Sequence, residues 1–189
     1  RVKTSARMKD GMSMRVAVWA MTIGSLALAA CSQGNGTTGV GGVDAARIIA
    51  AAPAQWLSTG RTYDEQRFSP LTAINQDTIG RLGLDWFADL DTNRGQEATP
   101  LFIDGVLYVS TAWSMVKAYD ARTGKLLWSF DPAVPRETLV KACCDAVNRG
   151  VAAWGNKIFV GTLDGRLIAI DRATGKAVWS VVTLDQSKN

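Results

Sequence analysis

The chain has 189 residues, enough for one ordinary domain or part of a larger one, and with 47% of them apolar it can bury a core and is no disordered polymer. Its formal charge of +4 arises before Cys31, where Arg1, Lys3, Arg7, Lys9 and Arg15 face only Asp10; the sixteen charges of each sign that follow cancel. A neutral body gives no electrostatic case for a nucleic-acid partner, and the absence of histidine removes the usual general base, the common zinc sites and any CxxCH haem attachment within these residues.

The sequence opens at Arg1 rather than methionine, so a translation start at Met8, Met12 or Met14 is expected. From Arg15 the run RVAVWAMTIGSLALAAC places a basic flank before an apolar stretch too short to span a bilayer comfortably, then small residues and Cys31. Residues 1–31 therefore read as an export signal. Cleavage after Ala27–Ala29 would suit an ordinary signal peptidase, whereas Leu28–Cys31 resembles a bacterial lipobox. The lipobox also explains the cysteine and the SQGNGTTGVGG that follows, a flexible tether over residues 32–42. Lipidation at Cys31 is the favoured expectation, with Ser32 suiting an outer-membrane destination. Either cleavage leads to an oxidising compartment outside the cytoplasm, where Cys143 and Cys144 are free to pair.

Residues 43–81 form a lead-in. DAARIIAAAPAQW suits one short helix and NQDTIGRL another, capped by Asn75. A strand is expected near Leu82 in RLGLDWFADL, belonging to a blade completed by another part of the full chain. From Thr99 the pattern becomes short alternating runs broken by turns. Asp104-Gly105 and Asp164-Gly165 are hairpin signals, because glycine accepts the positive φ of tight turns, and Thr123-Gly124 and Thr174-Gly175 mark a further turn in each unit. Sliding the chain by 51 residues lays Leu107–Phe130 over Ile158–Val181 without a gap, and Thr111, Ala118, Asp120, Thr123, Gly124, Lys125, Trp128 and Ser129 meet identical residues. A repeat of this length carrying four short strands is a propeller blade by its period, and each unit needs neighbours to cover its apolar faces. Trp128 and Trp179 are expected to pack between blades, each contributing roughly 2–3 kcal/mol of apolar burial. Asp120 and Asp171 are expected to hold the adjoining corners through side-chain hydrogen bonds.

Between the two units lies LVKACCDAVNRG, residues 139–150, with adjacent cysteines and an arginine five residues after the second. On spacing alone, a reduced pair at a loop end and a bonded pair remain equally open. AYDARTGKLLW and AIDRATGKAVW resemble the tryptophan-docking repeats of the pyrroloquinoline quinone (PQQ) dehydrogenases. WLSTGRTYDEQRFSPLTAIN, QEATPLFIDGVLYVST and CCDAVNRG resemble that family's N-terminal segment and its first two cofactor-contacting stretches. The resemblance implies an all-β, eight-bladed propeller, of which residues 82–189 would supply the first two or so blades.

It also implies a vicinal disulfide, Cys143–Cys144, lying against one face of PQQ. Such a bond closes a ring too small to restrain much chain entropy, so a rigid polarizable plate is a better reason for it than stability. Arg149 matches the family arginine that contacts the cofactor, and Glu97 matches the glutamate of the first contact stretch; beside an anionic cofactor Glu97 needs a proton, a bridging donor or a nearby cation. No catalytic base and no metal ligand is expected within these residues: in the family both lie beyond the position of Asn189, and Asp145 is not promoted into that role. The implied activity of the full-length product is oxidation of alcohols to aldehydes by transfer to PQQ, with a calcium or lanthanide ion and a cytochrome or internal haem c as electron acceptor. The polypeptide alone is expected to be inactive. A propeller lipoprotein that scaffolds outer-membrane assembly, or a sugar-oxidising quinoprotein, would share the repeats but has no need of the double cysteine.

Overall fold

The computed structural model describes residues 41–185; the export signal, Cys31 and the tether as far as residue 40 lie outside them. Two four-stranded antiparallel sheets follow one another, each with its strands in chain order. The first holds β1 (Leu101–Ile103), β2 (Val106–Ser110), β3 (Val116–Asp120) and β4 (Leu126–Phe130); the second holds β5 (Ala152–Trp154), β6 (Lys157–Gly161), β7 (Arg166–Asp171) and β8 (Ala177–Val182). Adding 51 to the first four starting residues gives 152, 157, 167 and 177, against observed starts of 152, 157, 166 and 177. The register shift on β3 between Ala118 and Tyr119 recurs between Ala169 and Ile170. The repeat read from Leu107 onward thus begins one strand earlier than the sequence alone displays.

Alternation selects the buried side of β1, β5 and β6, whereas β3 is buried at four consecutive positions and β8 is exposed along its length. Leu101, Ile103, Tyr108, Val116 and Ala118 from the first sheet join Val151, Ala153, Ile158, Val160, Ile168 and Ile170 in one apolar cluster, completed by Val43, Ile48 and Leu57 of the lead-in. Each large aliphatic chain taken from water here contributes about 1.5–3 kcal/mol. Polar corners fix the turns. Asp120 accepts from the Thr123 backbone N–H at 2.8 Å and its hydroxyl at 2.7 Å, and Asp171 repeats both contacts with Thr174 at the same distances. The Thr123 and Thr174 hydroxyls, then the backbone N–H groups, hold both carboxyls below their ordinary range.

These corners are docks for tryptophan. The Trp128 indole N–H donates to the Arg172 carbonyl at 3.1 Å, and its ring covers Gly175 so closely that an added Cβ would lie 2.6 Å from it. Trp86 does the same one blade earlier, donating to the Ala121 carbonyl at 2.8 Å and covering Gly124. Gly124 and Gly175 both take φ +71°, a conformation closed to most side chains. The expected packing of Trp128 between blades is therefore observed, with Trp86 as an unforeseen partner. Trp179 leans on Phe159 with ring centres 5.8 Å apart and stays 40% exposed, with no turn glycine against it among the described residues.

Both Asp-Gly hairpins form, at different places in their blades. Asp104-Gly105, with φ +52° and +83°, is a two-residue turn joining β1 to β2, whereas Asp164-Gly165 joins β6 to β7. By the 51-residue offset, Asp164-Gly165 corresponds to Trp113-Ser114, which adopt φ +64° and +59° without glycine's freedom. The strand expected near Leu82 is not formed. Residues 82–90 find no ladder partner among the described residues, and Trp86 holds the segment by its side chain instead.

The lead-in clasps both sheets. Its helix α1 (Ala45–Ala50) is capped by Asp44 and buries Ile48; where a second helix capped by Asn75 is expected there is a single 3-10 turn, Ile79–Arg81, with Thr78 at its start, and the Asn75 side chain accepts from the Asp77 and Thr78 N–H groups just before it. Trp56 pairs with Phe102 of β1, and Val43 pairs with Gly155 in the turn before β6. Asp104 receives Arg47 at 2.7 Å and the buried Arg172 at 3.2 Å, joining lead-in, first sheet and second sheet through one carboxylate.

Candidate functional site

The link from β4 to β5 carries the double cysteine, and its path follows from local chemistry. Pro135 opens a 3-10 turn over Arg136–Lys141, after which Ala142 returns to extended backbone and presents Cys143 and Cys144 to solvent. Their sulfurs are bonded, with the α-carbons 3.8 Å apart as in a trans peptide. The disulfide forms part of the wall of an open cavity of about 950 Å³, with Thr138, Lys141, Asn148, Arg149, Thr162 and Asp164 among its other lining residues.

The link is tied down immediately after the sulfurs. Asp145 takes φ +71° and pairs with Arg94 at 2.5 Å. The Ala146 N–H first, and Arg94 beside it, hold the Asp145 carboxyl below the ordinary range, which makes it a poor base. Ala146 is fully buried, and its carbonyl accepts from the Trp113 N–H at 2.8 Å. Asn148 donates to the Gly161 carbonyl at 2.9 Å and the Ser114 hydroxyl at 3.3 Å, while its own carbonyl accepts from the Gly150 N–H. Ser114 also accepts from the Leu163 N–H at 3.3 Å. Left-handed backbone at Trp113 and Ser114, which costs roughly 1–2 kcal/mol per non-glycine residue, is thus found where blade one reaches the cysteine link.

Glu97 and Arg149 stand 52 residues apart in sequence and meet in space, Arg149 Nε lying 3.2 Å from Glu97 Oε2. The backbone forces this meeting: Thr99 pairs in parallel with Gly150, its N–H donating to the Arg149 carbonyl at 3.2 Å. Arg149 supplies the nearby cation that Glu97 was expected to need. Its side chain remains 79% exposed, so the guanidinium keeps donors for a further acceptor. Asp164 is also neutralised: burial raises its proton affinity, but Arg166 and the Thr162 hydroxyl outweigh that and lower it overall. Cys143, Cys144 and Arg149 therefore share one cavity, and Glu97 joins it through Arg149. Arg94, Trp113 and Ser114 were not foreseen; only Trp113-Ser114 carried a signal, standing where the repeat's second copy has Asp-Gly.

A flat sulfur surface, an exposed guanidinium and satisfied carboxylates suit a planar anionic cofactor. Among the described residues no cluster of three or more His, Cys, Asp or Glu side chains could hold a metal ion.

Two successive four-stranded units, each capped by the tryptophan of the unit before, define a partial β-propeller with a candidate cofactor cavity beside its link. Residues 56–181 match the PQQ family described as glucose/ethanol/alcohol dehydrogenase, β-propeller domain, and the chain belongs to that family. It is 55% identical to the dehydrogenase subunit of a quinone alcohol dehydrogenase from Komagataeibacter europaeus, over 87% of this chain and 22% of that protein. Among solved structures it resembles the quinohaemoprotein alcohol dehydrogenase ADHIIG from Pseudomonas putida HK5, with TM-score 0.75 and 55% identity over 77% of this chain and 22% of that one. It also resembles a europium-containing methanol dehydrogenase, with TM-score 0.70 and 35% identity over 74% of this chain and 25% of the other. The chain thus spans about a fifth of the length of the curated relatives it matches.

Proposed function

We propose that this chain is the N-terminal part of an exported PQQ-dependent dehydrogenase that oxidises alcohols to aldehydes. The observation that carries this reading is the bonded Cys143–Cys144 pair on a cavity wall with Arg149, in a chain of the PQQ family. The relatives' names, quinohaemoprotein alcohol dehydrogenase and 1-butanol dehydrogenase (cytochrome c), support alcohol as substrate and haem, internal or in a separate cytochrome, as electron acceptor. The europium-containing neighbour supports the lanthanide among the two ions the resemblance implies, calcium or a lanthanide.

In this reading Cys143–Cys144 and Arg149 would hold PQQ in the cavity they share, the guanidinium offering donors to an anionic group while remaining paired with Glu97. Asn148 keeps Arg149 in place by fixing the backbone on its N-terminal side to Ser114 and Gly161. When bound, PQQ supplies the oxidation by accepting a hydride or its equivalent from the alcohol carbon. Asp145, its carboxyl held below the ordinary range by the Ala146 N–H and then by Arg94, orients the link and has no role as the base. The base and metal ligands come from residues that follow Asn189 in the full-length product. Residues 1–31 act as the export signal, Cys31 carries the lipid, residues 32–42 form the tether and 43–81 the lead-in, which places the product in the periplasm, attached to the outer membrane.

The test is PQQ titration with dye-linked ethanol oxidation. Residues 31–189 alone are expected neither to bind PQQ stoichiometrically nor to turn over, while the full-length gene product does both. A full-length product that binds no quinone would instead favour an outer-membrane scaffold, and turnover by residues 31–189 would refute the placement of the base.

A further inference from the structure

The disulfide is exposed, yet the residues that follow it are held from three directions. Asp145, with backbone in the left-handed region, is gripped by Arg94 at 2.5 Å. Ala146, fully buried, is held through its carbonyl by the backbone N–H of Trp113. Val147 lies under Gly95, where an added Cβ would come within 3.4 Å of it. Trp113 is itself fixed: the Arg136 guanidinium lies 4.0 Å from its ring centre and that of Arg94 5.9 Å. Arg94 therefore touches both supports of the sulfur-bearing turn, and it does so from outside the cavity lining.

The segment carrying Arg94 is anchored on both sides. Asp91 pairs with the buried Lys117 of β3 at 2.6 Å, and Thr99 is in register with Gly150. A guanidinium on such a strap has little freedom to follow a moving partner. It can therefore impose a position on Asp145 instead of adapting to one.

From this geometry we infer that Arg94 is a positioning residue for the cofactor wall: through Asp145, and through Trp113 and Ala146, it sets the orientation of the Cys143–Cys144 plate. The inference deepens the proposed function and rests on it for its link to PQQ, but the hold on the disulfide is a property of this chain alone. A fixed plate meets a planar cofactor without losing orientational freedom on binding, and it limits the directions from which an external thiolate reaches the S–S bond. Release of Arg94 should weaken the first and speed the second.

The experiment uses the full-length gene product, apo and PQQ-loaded, as wild type, Arg94→Met, Arg94→Lys, Asp145→Asn and the Arg94→Met/Asp145→Asn double variant. Reduction of the disulfide by dithiothreitol in the apoprotein is followed by alkylation and mass. PQQ affinity is measured by fluorescence titration, and global unfolding by circular dichroism. Arg94→Met and Asp145→Asn are each expected to speed reduction and weaken PQQ binding about fivefold, the scale of a partly exposed ion pair, with the unfolding midpoint nearly unchanged. The double variant should be no worse than Arg94→Met alone, and Arg94→Lys should be intermediate. Wild-type reduction rates in both single variants, or additive effects in the double, would overturn the inference. If reduction rates shift as expected while the wild-type protein binds no PQQ, the positioning role stands and the proposed function fails.

Discussion

Gly175→Ala tests whether tryptophan docking, and not the sheets alone, joins one blade to the next. The glycine has φ +71°, so alanine there carries a backbone cost of about 1–2 kcal/mol. Its Cβ would also fall 2.6 Å from the Trp128 ring, too close for any contact, so the indole must withdraw. Withdrawal breaks the hydrogen bond to the Arg172 carbonyl, about 0.5–1.5 kcal/mol, and re-exposes part of a ring whose burial contributes on the order of 1–2 kcal/mol. The expected loss is about 3–5 kcal/mol. Gly105→Ala is the matched control: φ is +83° and nothing lies within 4 Å of the added carbon, so only the backbone cost of about 1–2 kcal/mol applies. Urea unfolding of the full-length product, followed by tryptophan emission and circular dichroism, reads both variants, and only Gly175→Ala should shift native emission to the red. Equal losses in the two variants would refute the docking argument.

Replacing Cys143 and Cys144 together by alanine should lower PQQ affinity at least tenfold in a fluorescence titration, yet move the urea midpoint by less than about 1 kcal/mol equivalent, because the bond closes almost no loop. Arg149→Leu leaves Glu97 without its cation; PQQ binding should fall more than tenfold, with a stability change within about 1 kcal/mol because the side chain is largely exposed, and Arg149→Lys should recover only part of the affinity. Asp120 and Asp171 have folded pKa values below their unfolded ones, so what they contribute is present above the unfolded value and lost as pH falls through the folded one. Unfolding midpoints between neutral pH and about pH 2 should show a shallower acid decline in Asp120→Asn/Asp171→Asn than in wild type, with the difference confined to pH below about 4.

The blades were legible because their turns are chemical. Asp-x-x-Thr-Gly needs a carboxylate, a hydroxyl and a positive φ at fixed positions, so identical letters recur 51 residues apart and reveal the register. β1 and β5 escaped the alignment because LFI and AAW share no letters: the first pairs with Trp56, while the second follows the cysteine link. Trp86 escaped for a related reason. It precedes Trp128 by 42 residues where Trp128 precedes Trp179 by 51, and no Thr-Gly turn announces it. At the site, Cys143, Cys144, Arg149 and Glu97 could be named from short motifs. The ion pair between the last two could not, since it follows from the parallel pairing of Thr99 with Gly150. Arg94 had no local signature, because it acts across 51 residues on a carboxylate that itself looked incidental.

Tryptophan docking also has a direction in time. Trp86 docks on a turn 38 residues later at Gly124, and Trp128 on one 47 residues later at Gly175, so in both docks the receptor follows the ring it receives along the chain. When the chain emerges N-terminus first, the open seam at each of these two docks is the tryptophan already delivered, and the turn that closes it is in the next stretch to emerge. Closure over such short separations is quick, so neither dock depends on distant parts of the chain. For these two docks, order along the chain becomes order of assembly.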